Sequence, residues 1–498
     1  MAIKITMLLL FFAVMIAVGV ACRRKAVDVN SFVLGGRSVG PWLTAFAYGT
    51  SYFSAVIFIG YAGQFGWKFG LAATWIGIGN AIIGSLLPWL ILGRRTRLMT
   101  QKLGSATMPD FFGKRFESPA LKIGASVIVF VFLIPYTASL YNGLSRLFEM
   151  AFGIDYIWCI VIMSVLTCVY VVVGGYMASA VNNFIQGLVM LVGIVAVIFS
   201  VVNGRGGFSA AFDSLGSITD TGVAPGSLTS VFGPDPVSLF GVIILTSLGT
   251  WGLPQMVGKF YSIKDGKSIK QGTVISTVFA LVVAGGCYFL GGFGRLFDVD
   301  ITKTGYDSVV PKMLEGLPDA LLGLVVILVL AASMSTLSSL VMTSSSTLTL
   351  DLIKGHIVKN MKEKQQLLIM RVLIVFFIVV SAVIAIVQYK GSTTFIADLM
   401  GISWGALAGA FLAPYLLGLY SKKITKAGAW ASFAFSSTLM IANMLFRPHF
   451  PKLLQSPINC GAIAMLAGFV IVIAVSAFTK KPDAKFVDET FECLKKEK

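Results

Sequence analysis

The chain has 498 residues, 56% of them hydrophobic and only 12% charged, with a net charge of +17 and a mean hydropathy of +0.87. A soluble globular chain carries about 25% charged residues, so this composition excludes a soluble enzyme and indicates a polytopic membrane protein. The two histidines, His356 and His449, fall in predicted loops, and the six cysteines lack paired spacing, which argues against a metal centre or a Ser-His-Asp triad.

In chain order, apolar stretches reach or approach the ~20 residues that a helix needs to cross the hydrocarbon. Thirteen are predicted, at 3–22, 41–64, 69–93, 119–149, 155–176, 180–203, 236–259, 272–296, 319–349, 367–388, 393–418, 427–446 and 457–478. Val20-Ala21-Cys22 resembles a lipoprotein cleavage site, but basic residues follow the first stretch far more densely than they precede it, so it reads as an uncleaved anchor. Arg23-Arg24-Lys25, Arg94-Arg95 with Arg97, Lys114-Arg115, the run from Lys354 to Lys364, Lys422-Lys423 and the tail from Lys480 fall on one side of these spans. The positive-inside rule then predicts the N-terminus outside and the C-terminus in the cytoplasm. The positive charge is therefore a topology signal, with no nucleic-acid partner expected.

The second and seventh spans carry glycines at matching places: Gly49, Gly60 and Gly63 in one, Gly249 and Gly252 ahead of Pro254 in the other. A helix that releases its backbone hydrogen bonds cannot face lipid, so interrupted helices are expected inside a bundle or beside a watery cavity. Two of them in corresponding positions point to the midplane site of an inverted-repeat transporter. Spans two to six and seven to eleven form two sets of five, and because five is odd the second set enters from the opposite face. The predicted organisation is a peripheral helix and cytoplasmic loop over 1–40, a first repeat over 41–203 and an external loop over 204–235. A second repeat over 236–418, two peripheral helices over 419–478 and a solvated cytoplasmic tail over 479–498 follow. The chain is expected to work as a monomer in the lipid bilayer.

The ninth span reads Ala331-Ala332-Ser333-Met334-Ser335-Thr336-Leu337-Ser338-Ser339. Ser335, Ser338 and Ser339 stand at i, i+3 and i+4 and share one face, with Thr336 beside them. A hard monovalent cation takes about five or six oxygen ligands, and hydroxyls with released carbonyls supply them without burying a carboxylate. The natural carbonyl donor is Gly49-Thr50-Ser51-Tyr52-Phe53-Ser54 in the second span. Alone, a serine-rich membrane helix more often bonds back to itself or glues its neighbours. The interrupted second span shifts the balance to a cation site. Acidic residues are nearly absent from the spans, Asp398 near the outer end of the eleventh excepted, which argues against a proton relay or a membrane-embedded enzyme. Gly266-Lys267-Ser268 lacks the upstream glycine of a phosphate loop, since Tyr261 stands there, so ATP bound to this chain is not the energy source.

LGGRSVGPWLTAF (34–46), TSYFSAVIFIGYAG (50–63), MPDFFGKRF (108–116), GGYMASAVNNFIQG (174–187), GLPQMVGKFYSIKD (252–265) and LAASMSTLSS (330–339) follow one another in order. In these stretches the chain resembles the sodium:solute symporter family, which includes bacterial proline, pantothenate and sialic-acid symporters and the sodium–glucose cotransporters. The resemblance implies an all-α, five-plus-five inverted repeat of the leucine-transporter type with peripheral helices, placed in the bacterial inner membrane. It implies sodium-coupled import of a small organic solute by alternating access. It also implies a sodium site formed by the carbonyls of Thr50, Phe53 and Ala332 and the side chains of Ser335 and Thr336. Relatives with a second sodium site carry an Asp ahead of the sixth span, where this chain has Asn182-Asn183. Asn183 with Ser335, Ser338 and Ser339 is the corresponding set, and the missing charge–charge attraction favours one sodium per cycle.

The solute is expected beside that site. Candidates are Ser51, Tyr52 and Ser54 in the second span, Trp75 and Asn80 in the third, Tyr136 next to the helix-kinking Pro135 in the fourth, and Thr250 and Trp251 in the seventh. By similarity, Tyr136 stands where sialic-acid symporters place a carboxylate-clamping arginine and where the proline symporter has a tyrosine. Ser54 also matches the proline symporter, whereas Tyr52 replaces its acidic residue and the run through Gly60 is closer to the pantothenate symporter. An amino acid such as proline, or a small carboxylate such as pantothenate, is expected ahead of a sugar or sialic acid. A proton-coupled transporter of the same fold is the nearest alternative, and a cation channel the next.

Overall fold

Prolines at first helical positions and hydroxyl or carboxylate caps start most of the helices in the computed structural model, which describes residues 2–23, 28–219, 223–358, 360–391 and 396–495. Arg24, Lys25 and Lys359 of the basic clusters lie outside the described residues, as do 393–395 of the eleventh predicted span, 496–498 of the tail and the side chain of His356. Helix α1 covers Ala2–Cys22. Pro41 opens α2 (Pro41–Tyr52), which gives way to non-helical Phe53 and Ser54; a widened π turn (Val56–Tyr61) then leads into α3 (Ala62–Phe69). Gly70, at φ +60°, turns the chain into α4 (Thr74–Ala81), which continues through π turns at Ile82–Leu86 and Trp89–Gly93.

The Thr107 hydroxyl caps the short α5 (Met108–Arg115), and α6 (Pro119–Phe152) ends on left-handed Gly153. Helix α7 covers Tyr156–Asn203 with one non-helical residue, Gly175, at φ 58° and ψ −152°. Helices α8 (Pro236–Gly252) and α9 (Pro254–Ser262) meet at Leu253 with a 44° bend. Then follow α10 (Gly266–Gly291), α11 (Asp319–Thr347), α12 (Glu363–Gly391), α13 (Ile396–Tyr420), α14 (Lys426–Phe446), α15 (Pro457–Phe478) and α16 (Ala484–Phe491). Among the described residues the only β pairing is an isolated parallel bridge between Val39 and Ile263, which ties the segment before α2 to the end of α9.

Among the described residues ten helices are long and apolar enough to cross a membrane, or eleven with the bent α8–α9 pair counted as one span. The thirteen predicted from sequence differ in two places. Helix α2 is too short to span alone and its continuation runs on into the next predicted span, and the stretch Tyr156–Val169 of α7 is a short apolar helix. Helices α11 and α13 are apolar or hydroxyl-bearing on every side and buried almost throughout, as a helix without a polar face must be. They form the centre: α11 packs on α1, α6 and α7, and α13 on α6, α8, α14 and α15. Helices α12 and α15 turn Leu368, Val372, Phe376, Val470 and Ile473 outward, a surface suited to lipid.

The glycines expected to interrupt the helices do not. Gly49, Gly60, Gly63, Gly249 and Gly252 are all within helices, and the breaks fall on Phe53 and Leu253. These glycines admit neighbours instead: a Cβ would stand 2.5 Å from the Phe279 ring at Gly49, 2.5 Å from the Trp404 ring at Gly249 and 2.8 Å from the Ala408 Cα at Gly252.

The tail, expected to be solvated, lays α16 against the body, with Val487, Thr490 and Phe491 buried. The Phe491 ring covers the Arg115 guanidinium at 5.2 Å. Arg115 donates to the carbonyls of Gly418 and Ser421 at 2.9 and 3.0 Å, where the C-terminal end of α13 favours a cation. Burial pushes its pKa down to about 10.

Between α10 and α11, Asp307 accepts a hydrogen bond from the N–H of Ile396, the first residue of α13, at 3.2 Å. Burial pushes its carboxyl up to about 6, against the lowering effects of that N–H and of Arg146 and with a further push from Asp398. A carboxyl raised above its unfolded value makes the folded state hold more protons, so this contribution is fully present in acid and lost as pH climbs through about 4 to 6. The thermal midpoint of the purified protein is expected to fall over that window. Asp307→Asn, which keeps the accepting oxygen, should flatten the fall; an unchanged slope in differential scanning fluorimetry would count against it.

Candidate ion and solute site

Phe53 (φ −80°, ψ 123°) and Leu253 (φ −82°, ψ 123°) share one extended backbone conformation at the two breaks. An extended residue at a helix end leaves carbonyls of the last turn without their intrahelical partners. At the first break those carbonyls face α11. Ser335 Oγ lies 3.0 Å from Thr50 O and 2.8 Å from Ala332 O. Thr336 Oγ1 lies 3.1 Å from each of the Thr50, Phe53 and Ala332 carbonyls. Three carbonyl and two hydroxyl oxygens thus converge from residues that are at most 1% exposed. All are hard and neutral, a donor set suited to an alkali cation, and each hydroxyl can rotate its proton away to present a lone pair. Among the described residues no group of three or more His, Cys, Asp or Glu offers a competing metal site.

One turn further along α11, Ser338 Oγ donates to Ser335 O at 2.9 Å. Ser339 Oγ lies 3.2 Å from Ser335 O and 2.7 Å from Ser51 Oγ of α2, and it accepts from Lys259 Nζ of α9 at 3.1 Å. Asn183 of α7 is buried, and neither amide atom has a hydrogen-bond partner.

Beyond the break lies a cluster of aromatic hydroxyls. The Tyr52 hydroxyl faces Tyr288, Thr246 and Asn80, and the Tyr136 hydroxyl faces Ser54 and Trp404. The rings of Tyr52 and Tyr136 lie 5.6 and 5.9 Å from that of Trp404. The hydroxyls of Tyr52, Tyr136, Tyr288 and Ser54, with Asn80 Nδ2 and Trp404 Nε1, are buried without a hydrogen-bond partner. These hydroxyl, amide and indole groups, turned toward one another in the bundle interior, form the polar lining of the candidate solute site.

Residues 32–435 match the sequence model of the sodium:solute symporter family. The chain belongs to that family. It is 29% identical over 486 residues to the osmoregulated proline transporter OpuE of Bacillus subtilis, covering 95% of this chain and 94% of that one. It is 29% identical over 497 residues to a sodium/proline symporter of Staphylococcus aureus (strain NCTC 8325 / PS 47), covering 96% and 93%. Among solved structures, a substrate-bound, outward-open Na+-coupled sialic acid symporter superposes with a TM-score of 0.75 at 17% identity, over 97% of this chain and 99% of that one. The nucleobase-cation-symport-1 family transporter Mhp1, closed around bromovinylhydantoin, superposes with a TM-score of 0.52 at 14% identity over 93% and 98%. These likenesses place the chain in the leucine-transporter-type fold. As a sodium:solute symporter it is a multi-pass transporter rather than an enzyme, and sodium is its coupling ion.

Not every residue singled out in the symporter's sequence joins the cluster. Trp75 is 41% exposed at the protein surface and donates through Nε1 to the Val231 carbonyl. Thr250 and Trp251 are buried but tie α8 to the π turn after α4: Thr250 Oγ1 donates to Gly84 O at 2.8 Å and Trp251 Nε1 to Ile83 O at 2.7 Å. Asn80 Oδ1 accepts from Ser247 at 3.1 Å, leaving its amino group free. Trp404, Tyr288 and Thr246 were missed. Trp404 had a signal, the one bulky side chain in the small-residue run Gly401 to Gly409 other than Ile402 and Leu407.

Proposed function

We propose that this transporter imports a small organic solute together with sodium, an amino acid such as proline ahead of a small carboxylate such as pantothenate. One observation carries the sodium half: oxygens of Thr50, Phe53, Ala332, Ser335 and Thr336 meet across the break that ends α2. Sodium entering from the face opposite the basic clusters would join the loose carbonyls to α11 and steady the broken helix. Solute then binds against Tyr52, Ser54, Tyr136 and Trp404, the outer path closes and the inner one opens. One charge moving through 100 mV releases ~2.3 kcal/mol and a tenfold sodium gradient ~1.4, together enough for roughly a several-hundred-fold accumulation of neutral solute.

Two features favour a zwitterion. The aromatic cluster carries no charged side chain, and burying a net charge without a counter-charge is costly. The faces of Tyr52, Tyr136 and Trp404 suit an ammonium, while the neighbouring sodium suits a carboxylate. The names of the relatives point the same way. We assign the two repeats to 41–203 and 236–418 because the breaks at Phe53 and Leu253 share their torsions; thirteen crossings follow when the broken α2–α3 segment and the Tyr156–Val169 half of α7 are each counted as one, and the basic clusters put the N-terminus outside.

Labelled proline uptake into proteoliposomes tests this. Uptake should require an inward sodium gradient and vanish when choline replaces sodium at fixed pH; uptake indifferent to that swap would sink the proposal. Tyr136→Phe should raise KM for proline about 2- to 10-fold, the worth of one neutral hydrogen bond, and leave the half-saturating sodium concentration unchanged.

A further inference from the structure

We infer that the cavity between the last π turn after α4 and the start of α10 seats an anionic phospholipid, its phosphate on Arg94, Lys267 and Lys270 and an acyl chain along the apolar groove beyond. The cavity measures about 580 Å³, and its lining includes Trp89, Leu90, Arg94, Lys267, Lys270 and Thr273. Arg94 directly follows the π turn Trp89–Gly93, and Lys267 and Lys270 stand one turn apart at the start of α10. All three side chains are exposed, and none has a hydrogen bond, ion pair or ring contact among the described residues. No carboxylate lines the cavity, because Asp265, which caps α10, turns onto the Ser268 N–H at 2.7 Å. Three cations gathered without a counter-charge repel one another, and an anion between them relieves the repulsion.

Elsewhere on the basic face, cations find partners within the protein. Arg95 donates to the Leu419 carbonyl at 3.0 Å and lies 3.8 Å over the Tyr420 ring. Arg97 donates to the Lys264 carbonyl at 2.9 Å, and Lys114 and Lys422 pair with Asp110 and Asp488. Arg94, Lys267 and Lys270 instead meet at the bilayer boundary, Arg94 just after the third predicted span and Lys270 just before the eighth. Away from that boundary the walls turn apolar. Lys270, Val274, Val278 and Leu281 follow one another along one face of α10, the three apolar ones exposed, and Leu90 is exposed one turn before Arg94. A cationic mouth above a strip of hydrocarbon complements a phospholipid better than a free phosphate. Trp89, the wholly buried part of the lining, lies 5.1 Å from the ring of Phe260 in α9 and 5.7 Å from that of Tyr48 in α2. A lipid seated here therefore braces both broken helices through one side chain.

Native mass spectrometry of the detergent-purified full-length protein, titrated with phosphatidylglycerol or with phosphatidylcholine of the same acyl chains, tests this. Wild type should retain one phosphatidylglycerol per chain about 10-fold or more tightly than phosphatidylcholine. Arg94→Gln, Lys267→Gln and Lys270→Gln together should weaken phosphatidylglycerol binding about 10- to 100-fold and leave phosphatidylcholine binding unchanged, which also reports that the variant is folded. Arg94→Lys, Lys267→Arg and Lys270→Arg together keep the charge and should keep the preference. Lys423→Gln, Lys480→Gln and Lys485→Gln remove the same charge from exposed positions elsewhere and should change it by less than about 2-fold. Equal losses in the two glutamine variants would mean a diffuse attraction to the whole basic face and would overturn the inference. So would a wild type without preference between the lipids, or displacement of the bound lipid by excess inorganic phosphate, which would make the cavity a site for free anions.

Discussion

Thr336→Ala is expected to raise the half-saturating sodium concentration for uptake by about 10- to 100-fold and to leave a folded protein. The hydroxyl it removes touches three carbonyls at once, those of Thr50, Phe53 and Ala332. Interaction of a neutral oxygen with a charge contributes about 1.5–3 kcal/mol, which is about one to two powers of ten in binding. In the sodium-free protein the same hydroxyl makes only neutral hydrogen bonds, worth about 1 kcal/mol, so the fold loses far less than the ion does. Thr336→Ser keeps the oxygen and should stay close to wild type. Ser335→Ala, which loses contacts to Thr50 and Ala332, should shift the curve in the same direction. Sodium titrations of proline uptake distinguish the outcomes: a curve that does not move in either alanine variant would remove both residues from the site.

The candidate site was legible in sequence where chemistry is local. Ser335, Ser338 and Ser339 share a face by helical spacing alone, and the hydroxyl-rich α11 has no polar side to turn toward water. The position of the break was not legible to the residue. A glycine in a membrane helix either releases the backbone or admits a neighbour, and the rings of Phe279 and Trp404 against Gly49 and Gly249 decide for the second. Those rings come from helices far along the chain. The extended residues are Phe53 and Leu253, neither a helix breaker; Pro254 marks only the restart of the second helix. Trp75 failed for a related reason: an apolar span with little amphipathic contrast does not announce which side faces the bundle. Lys259 stayed invisible because its partner Ser339 is 80 residues away, and only packing of α9 on α11 brings them together.

Lys122→Met is expected to destabilise the protein by about 3–5 kcal/mol, the usual loss when one partner of a buried ion pair is removed. Three segments meet on one carboxylate at the basic face. Asp351, in the widened turn Leu348–Ile357 that continues α11, is 1% exposed. Lys122, near the start of α6, lies 3.3 Å from Asp351 Oδ1 and 2.9 Å from Asp110 Oδ1 of α5. Thr107, which caps α5, donates to Asp351 Oδ2 at 2.5 Å. One ammonium therefore holds two carboxylates beside each other, and methionine would fill the same volume while leaving them to repel. Much of that loss is the stranded charge rather than the worth of the pair, so Asp351→Asn added to Lys122→Met should recover part of it. Thermal midpoints of the wild type, both single variants and the double variant close a cycle whose coupling should exceed about 0.5 kcal/mol. Strictly additive losses would mean that the contact holds nothing. Coupling with lost uptake in Lys122→Met, restored in the double variant, would make this cluster the latch that keeps α5 and the end of α11 closed over the basic face while sodium and solute load from the other side.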